Sequence, residues 1–192
     1  NHGGRSLVNQ PADAIASPYG WHDTNGAAGP EYTITRGNNV HAYLDLNNDN
    51  APDPGSEPDG GAGLDFDFAL DLTMVPSTYR PAAVTNLFYW NSYLHDFAYQ
   101  YGFDEPAGNF QDDNQGRGGA GNDHVNGEAQ DGGGTNNANF ATPADGGSGR
   151  MQMYLWTGGT PNRDGDVDNG IVIHEFGHGL SNRLTGGPAA AG

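Results

Sequence analysis

Two histidines and a glutamate near residue 175 are spaced so that they could hold and use a metal ion. Glu175 directly follows His174, and His178 lies four positions after His174, in the order His-Glu-Phe-Gly-His. In a helix, four residues advance by about 400°, so the two imidazoles lie about 40° apart and one turn above the other. Glu175 is rotated by about 100° from His174 and can reach a water on the shared metal without ligating it. This spacing is typical of zinc hydrolases.

The alternative interpretation is two surface histidines on an ordinary helix. With 7 His and 5 Glu in 192 residues, chance gives about 0.006 such patterns per chain, which favours the metal interpretation. Asp168 or Asn169 could cap the start of the helix, and the Gly-Gly-Pro at 186–188 should end it. Residues at three- and four-residue steps predict a buried stripe beside the histidines. These are Ile173, Phe176, Gly177, Leu180 and Leu184.

The elements that must position this helix are a longer helix and a set of strands. A helix is predicted from Pro81 to about Tyr101, because proline suits the first turn and Gly102 suits the end. Residues 124–130 could form a strand, and the alternation over 150–156 predicts one directly. The predicted inner face of the long helix is Val84, Leu87, Phe88, Asn91, Leu94, His95, Ala98 and Tyr101.

Residues 1–80 predict a β-rich amino-terminal arm and hairpin. Segments 31–36 and 40–45 flank a Gly-Asn-Asn turn, which is a hairpin pattern. Segment 64–72 alternates apolar and mostly acidic residues, which predicts a half-buried strand with an acidic outer face. Residues 81–192 should hold the long helix, an edge strand and the histidine helix of the same domain. The predicted fold class is therefore α+β.

Two acidic stretches could bind calcium, and a structural interpretation competes in each case. Residues 45–53 place oxygen ligands at alternate positions, but Asn50 stands where a calcium loop needs glycine and Ser56 where it needs glutamate. A solvated loop is therefore the favoured interpretation there. Three aspartates at 164, 166 and 168 precede the histidine helix, where helix capping is favoured over calcium binding. A calcium-binding structural module is the function that these stretches would otherwise indicate.

Composition limits the possible partners. The formal net charge is −17, from 7 basic against 24 acidic residues, which argues against binding to nucleic acid or to an anionic membrane. The chain has no cysteine, so neither a disulfide framework nor a cysteine nucleophile is expected. It contains no run of about 18 apolar residues and does not open on a signal peptide, so we expect a soluble, processed form. Despite 32 Gly and 12 Pro, the 3 Trp, 9 Tyr and 8 Phe indicate a packed protein.

Several short motifs carry a resemblance to a known family. Through these motifs, the chain resembles the fungalysin family of secreted zinc metallopeptidases, which are distant relatives of the thermolysin-like enzymes. The motifs cover nearly everything after about residue 80, and two earlier segments match more loosely. They are NLFYWN at 86–91, LHD at 94–96, YGFDE at 101–105, GNF at 108–110, GTNNANFATP at 134–143, RDGD at 163–166 and HEFGHGLSNRLTGG at 174–187, with ASPYGW at 16–21 and TRGNN at 35–39 as the looser matches.

The resemblance implies a secreted, extracellular zinc endopeptidase with a thermolysin-like fold, whose amino-terminal subdomain is β-rich. His174 and His178 would be zinc ligands and Glu175 the general base. Asn137 and Ala138 would lie on an edge strand that hydrogen-bonds the substrate backbone. The third zinc ligand, a Glu, is expected beyond Gly192 together with a carboxy-terminal subdomain. A precursor with an inhibitory propeptide is also implied.

In the complete enzyme, zinc would polarise the scissile carbonyl, and Glu175 would move a proton from water to the leaving amine. Protein or peptide substrates follow from this chemistry, and no covalent intermediate is needed. The alternative is a catalytically incomplete amino-terminal fragment that binds a separate carboxy-terminal chain, because two ligands without a third would hold zinc weakly.

Overall fold

The computed structural model describes residues 6–187, which form two helices, a four-stranded sheet and a two-stranded sheet. This mixed content confirms the α+β class. Within residues 6–187, neither helix is long and apolar enough to cross a membrane. Short 3-10 turns lie at Gly61–Gly63, Pro76–Thr78, Glu105–Ala107 and Gly165–Val167. The main elements are β1 (Val40–Leu44), α1 (Arg80–Tyr99), β2 (Val125–Ala129), β3 (Ala138–Ala141), β4 (Arg150–Met153), β5 (Leu155–Trp156), β6 (Arg163–Asp164) and α2 (Asn169–Leu184).

The larger sheet has the order β1-β2-β4-β3. β1, β2 and β4 run parallel, whereas β3 pairs antiparallel with β4 and forms one edge of the sheet. The strands predicted at 124–130 and 150–156 are confirmed, although the second is divided at Tyr154, after which β5 pairs with β6. One face of the sheet is apolar and packs against α1. Its buried residues are Val40, Ala42, Leu44, Val125, Ala129, Met151 and Met153.

Helix α1 agrees with its predicted bounds to within two residues. Pro81 lies in the first turn, as expected, and Gly102 follows the helix with φ 91°. Seven of the eight predicted inner residues are buried. Tyr101 is the exception, at 79% exposed, because the helix ends before it at Tyr99. α1 approaches the sheet closely, since a Cβ on Gly127 of β2 would lie 3.2 Å from Leu87 Cδ2.

The predicted amino-terminal hairpin is present only in a short form, in which Ala42 N donates to Thr35 O at 2.8 Å and Gly37 N to Val40 O at 3.0 Å. Before residue 80, the described chain contains one strand, β1, and the pairing within segment 31–45 reduces to a single antiparallel bridge between Arg36 and His41. A second bridge joins Ile34 to Asp59. Along its other edge β1 pairs with β2 over all five of its residues, so the longer of its two pairings is with a partner distant in the chain. Loops therefore dominate this part of the chain, and the division at residue 80 stays a prediction.

The strand predicted at 64–72 is wrong, and its last inner residue, Leu72, is 49% exposed, although the alternation before it is informative. Leu64, Phe66, Phe68 and Leu70 are half-buried and the residues between them exposed, as the pattern predicts. Phe66 stacks on His22 at 5.2 Å and on Phe88 of α1 at 6.2 Å. No strand of the described chain forms a ladder with this segment, so the segment is not part of a sheet.

A buried aspartate in α1 fastens the amino-terminal arm to the body. Asp96 is 5% exposed, and it accepts hydrogen bonds from Trp21 Nε1 at 2.7 Å, Ser17 Oγ at 2.7 Å and Asp13 N at 2.9 Å. His95 Nδ1 lies 3.0 Å from the same carboxylate. The His95–Asp96 pair is thus enclosed in the core as part of a structural network.

Candidate active site

Helix α2 carries the three residues singled out by their spacing, and side chains fix its start. Asp168 accepts a hydrogen bond from Gly170 N at 3.0 Å and is the N-cap, one of the two predicted candidates. Asn169 has another role: its Oδ1 accepts from Asn86 Nδ2 at 3.0 Å. Asn86 also donates to Asp166 O at 2.7 Å, so α1 holds the first turn of α2.

The end of α2 also agrees with the expected signal. The last helical residue is Leu184, and Gly186 and Gly187 follow with φ of 90° and 85°. Glycine adopts this left-handed region without steric cost, which makes it a common helix stop. Pro188, the third member of the predicted stop, lies outside the described residues.

The buried stripe of α2 differs from the prediction. The buried residues on this stripe are Val172, Phe176, Gly179 and Arg183, which recur at steps of three and four. Ile173 is 44% exposed and Leu184 49% exposed; Gly177 is exposed and Leu180 half-buried. The stripe is rotated because a glycine and an arginine occupy core positions. A Cβ on Gly179 would lie 2.6 Å from Phe140 Cε1 of β3, so only glycine permits this close packing.

Arg183 is fully buried and joins the end of α2 to several loops. It pairs with Asp123 Oδ2 at 3.0 Å, and both side chains are 0% exposed. Its guanidinium also donates to the backbone carbonyls of Pro143 at 2.7 Å, Gly108 at 2.8 Å and Gly147 at 2.8 Å. A buried charge held by this many partners fixes the helix in position, and Asp123 supplies the counter-charge that its burial requires.

His174 and His178 lie on the exposed face of α2 and converge on one point. Their Nε2 atoms are 2.9 Å apart, and the rings meet edge to face with centroids 4.5 Å apart. Two imidazole nitrogens on one tetrahedral zinc lie about 3.3 Å apart, given zinc–nitrogen distances of about 2.0–2.1 Å. A small opening of the rings would therefore let both nitrogens ligate one ion, so this donor pair fits zinc.

Glu175 lies beside the histidines but is largely enclosed. It is 5% exposed, and its carboxylate accepts no hydrogen bond from the other described residues. Burial raises the pKa of Glu175, while His178 and His174 nearby oppose that rise. A carboxylate with a raised pKa and no competing donor is suited to accept a proton from a bound water.

The two residues expected to contact substrate lie at the sheet edge. Ala138 begins β3 and Asn137 precedes it, exposed. β3 pairs with β4 on one side, which leaves its other edge unpaired within the described chain. α2 packs against this strand through Phe140 and through a bond from Asn182 Nδ2 to Thr142 Oγ1 at 3.2 Å. The histidine helix therefore packs directly on the edge strand.

No third His, Asp or Glu of the described chain joins the histidine pair as a metal ligand. The three aspartates before α2 have structural contacts instead. Asp168 caps α2, and Asp164 accepts from Asp166 N at 3.0 Å and from Gln130 Nε2 at 2.7 Å. Asp166 is fully buried, and burial, followed by the charge of Asp164, raises its pKa well above the ordinary range.

Sequence reasoning missed Arg183, Gly179 and Phe140 as the residues that position α2. One signal was present, because Arg183 falls on the same three- and four-residue repeat as Val172, Phe176 and Gly179. Its partner Asp123 is 60 positions away, so no local pattern could indicate that the charge is neutralised. The signal for Arg183 itself is a charged residue on an otherwise apolar repeat.

Comparison with known proteins gives a consistent result along the whole chain. Residues 1–192 match the family described as "Fungalysin metallopeptidase (M36)". The chain is 50% identical over 191 residues to "Extracellular metalloproteinase MEP" of Fusarium vanettenii, covering 99% of this chain and 29% of that protein. It is 50% identical over 173 residues to "Extracellular metalloproteinase 2" of Trichophyton tonsurans, covering 90% and 27%. With "Extracellular metalloproteinase mep" of Aspergillus flavus, identity is 50% over 188 residues, covering 97% and 29%. The chain thus spans less than a third of the length of these curated relatives.

Proposed function

This chain belongs to the fungalysin family of metallopeptidases, and on that premise we propose that it supplies two zinc ligands and the general base of a secreted, extracellular zinc endopeptidase. The zinc ligands are His174 and His178, and the base is Glu175. The third ligand, a Glu, is expected beyond Gly192. The single observation that supports this assignment best is the 2.9 Å separation of the two Nε2 atoms on the exposed face of α2.

The chemistry divides between the metal and the protein. When bound by the two histidines, zinc supplies a Lewis acid that polarises the scissile carbonyl and makes water more acidic. Glu175 accepts the proton of the attacking water and donates it to the leaving amine. Its enclosure and raised pKa make the protonated form that this second transfer requires more accessible than in an exposed glutamate. Asn86 at the start of α2 and Arg183 near its end hold the helix and hence the histidines in place.

The substrate is a protein or peptide that lies along β3. An extended peptide can add to a free sheet edge through backbone hydrogen bonds, with Asn137 and Ala138 at its start. Because Gly179 lets α2 pack directly on Phe140 of β3, a peptide on that edge would pass beside the histidine face. An inhibitory propeptide in the precursor is part of the same proposal.

A second candidate is a catalytically incomplete amino-terminal fragment that acts only with a separate carboxy-terminal chain. The observation that favours it is the apolar exposure on α2, where Ile173 is 44% and Leu184 49% exposed. A partner that covered this face could also bring the third ligand. Co-purification of a second chain with zinc bound at one ion per complex would support this candidate.

The decisive test compares Glu175→Gln with the wild type in the full-length protein. Peptide hydrolysis should fall by about 10²–10⁴-fold, which is the usual contribution of a general base. Zinc content per molecule should be unchanged, since the glutamate does not ligate the metal. His174→Ala should instead lose zinc and activity together.

A matched control is Glu31→Gln, the same chemical change at an exposed loop residue. It should retain wild-type activity and zinc content. Full hydrolysis by Glu175→Gln at wild-type zinc content would show that another group is the base. Wild-type zinc content in His174→Ala would remove the metal assignment itself.

A further inference from the structure

The second face of the large sheet is polar, and three carboxylates meet on it. Asp45 directly follows β1, Glu128 lies in β2 and Asp131 follows β2. Their relative exposures are 0%, 0% and 2%. One oxygen of each carboxylate lies within 4.8 Å of an oxygen of each of the other two. Oxygens that ligate one calcium ion at about 2.3–2.6 Å are at most about 5 Å apart, so the cluster has the dimensions of a calcium site.

The charges of this cluster are only partly balanced. Arg150 Nε lies 3.7 Å from Glu128 Oε2, which offsets one of the three carboxylates. Burying the remaining negative charges without a counter-charge would be costly, so such groups bind a proton or a cation. Burial raises the pKa of Glu128 to about 7, with Arg150 opposing and Asp131 and Asp45 adding to the rise.

One oxygen in the cluster has no partner. Glu128 Oε1 accepts from Tyr43 Oη at 3.2 Å, but the buried Oε2 accepts no hydrogen bond from any described residue. Such an atom costs stability unless something ligates it. A further oxygen stands nearby, because a Cβ on Gly133 would lie 2.4 Å from Asn48 Oδ1 and 2.8 Å from Asp131 Oδ1. Glycine thus keeps open the space in front of these two oxygens.

We propose that Asp45, Glu128 and Asp131 form a calcium site that fastens the loop at 45–53 to the ends of β1 and β2. The loop already folds around Asp45, whose carboxylate accepts from Asp49 N at 3.0 Å and Asn50 N at 2.9 Å. Asn50 also contacts Arg150, which closes the loop over the polar face. The site is separate from the histidine pair and uses hard oxygen donors, which prefer calcium to zinc.

A surface cleft gives the ion a route to the carboxylate cluster. Glu128 and Arg150 line a surface cleft of about 510 Å³, together with Asn50 and Asn126. Asp131 is held in place by Gln152 Nε2 at 2.9 Å, and Glu128 by Tyr43. These bonds orient the carboxylates, as residues around a metal site commonly do, and leave Glu128 Oε2 without a donor.

The test is a calcium titration of the full-length protein at fixed zinc, after calcium has been removed by dialysis. The midpoint of thermal unfolding should rise with calcium, with half-saturation near 10⁻⁴ M, roughly as for extracellular calcium modules. Glu128→Gln should weaken the apparent affinity by about tenfold or more, because it removes one of three charged ligands. Asp49→Asn, an exposed residue of the same loop, is the matched control and should respond as the wild type does.

Terbium provides a second measurement that does not depend on the Glu128 variant folding. Tyr43 hydrogen-bonds to Glu128, so terbium bound here should emit when tyrosine is excited, and calcium should displace it. Asp131→Asn should lose this emission, and Tyr43→Phe should weaken it while keeping the calcium response. An equal calcium response in Glu128→Gln and wild type would overturn the proposal. The proposal would also be overturned if the wild type did not respond to calcium and Glu128→Gln were more stable than the wild type. A proton, and not calcium, would then balance the charges of the cluster.

Discussion

The two faces of helix α2 differ in what their side chains contact. On one face His174 and His178 are exposed, and their ring nitrogens contact each other. On the other face Phe176, Gly179 and Arg183 are buried against the strands and loops of the body. The exposed face is therefore accessible, as the proposed metal and substrate sites require, while the buried face holds the helix in position. Substitutions on the two faces should consequently affect different measurements.

The largest effect on stability is expected from Arg183→Leu. It would leave the carboxylate of Asp123 buried without its counter-charge, and breaking a buried ion pair in this way costs about 3–5 kcal/mol. Denaturant unfolding of the full-length protein measures the loss. Adding Asp123→Asn to the variant should recover part of it, because the unpaired charge is then removed.

Ser181→Ala is the control for Arg183, since Ser181 lies on α2 and is exposed. Its effect should be within about 0.5 kcal/mol, as for most surface substitutions. If Arg183→Leu cost no more than this control, the buried pair would not be what holds the helix.

Two glycines of α2 give a matched comparison of its faces. A Cβ on Gly179 would lie 2.6 Å from Phe140 Cε1 and 3.1 Å from Phe110 Cε2, whereas a Cβ on Gly177 would meet nothing within 4 Å. Gly179→Ala should thus destabilise the protein by about 1–2 kcal/mol, since overpacking outweighs the better helix propensity of alanine. Gly177→Ala should stabilise it by up to about 1 kcal/mol. Thermal unfolding of both variants checks the difference, and equal signs would contradict it.

A pH-dependent effect is expected at the start of α2. Burial raises the pKa of Asp166, and the charge of Asp164 raises it further. The folded state then binds more protons than the unfolded state above the ordinary aspartate pKa of about 4, so stability should fall as pH rises from there through the raised value. Asp166→Asn should flatten this fall in unfolding measurements across pH. Asp168→Asn, an exposed neighbour, should leave it intact.

The elements that could be predicted from the sequence are those with a local pattern. The apolar repeat of α1, with Pro81 and Gly102 at its ends, is such a pattern, and so is the alternation in β4. The segment at 64–72 has equally clear alternation, and its side chains do alternate between half-buried and exposed. It is not a strand, because a strand also needs a backbone partner, and that partner is set by the tertiary fold.

The two candidate metal sites differ in the same respect, because one follows from a local sequence pattern and the other does not. His174 and His178 converge because of the helical repeat alone, which the sequence contains. Asp45, Glu128 and Asp131 meet only because β1 and β2 pair in register, with Tyr43 opposite Glu128, and nothing local indicates that pairing. The buried face of α2 was mispredicted for a related reason, since the charge of Arg183 is neutralised by a residue distant in the chain.

The smallest effect is expected at the N-cap of α2, and it tests whether the two faces are independent. Asp168→Ala removes the side chain that accepts from Gly170 N, which should cost about 1 kcal/mol. Asp168→Asn should cost little, because asparagine is an equally good cap. Asp168 precedes His174 by more than one turn, and Asn86 and Arg183 still hold the helix, so zinc affinity should stay within about twofold in both variants. A loss of zinc affinity that parallels the loss of stability would mean that the exposed face depends on the cap, and that the positions of the histidines are not set by the buried face alone.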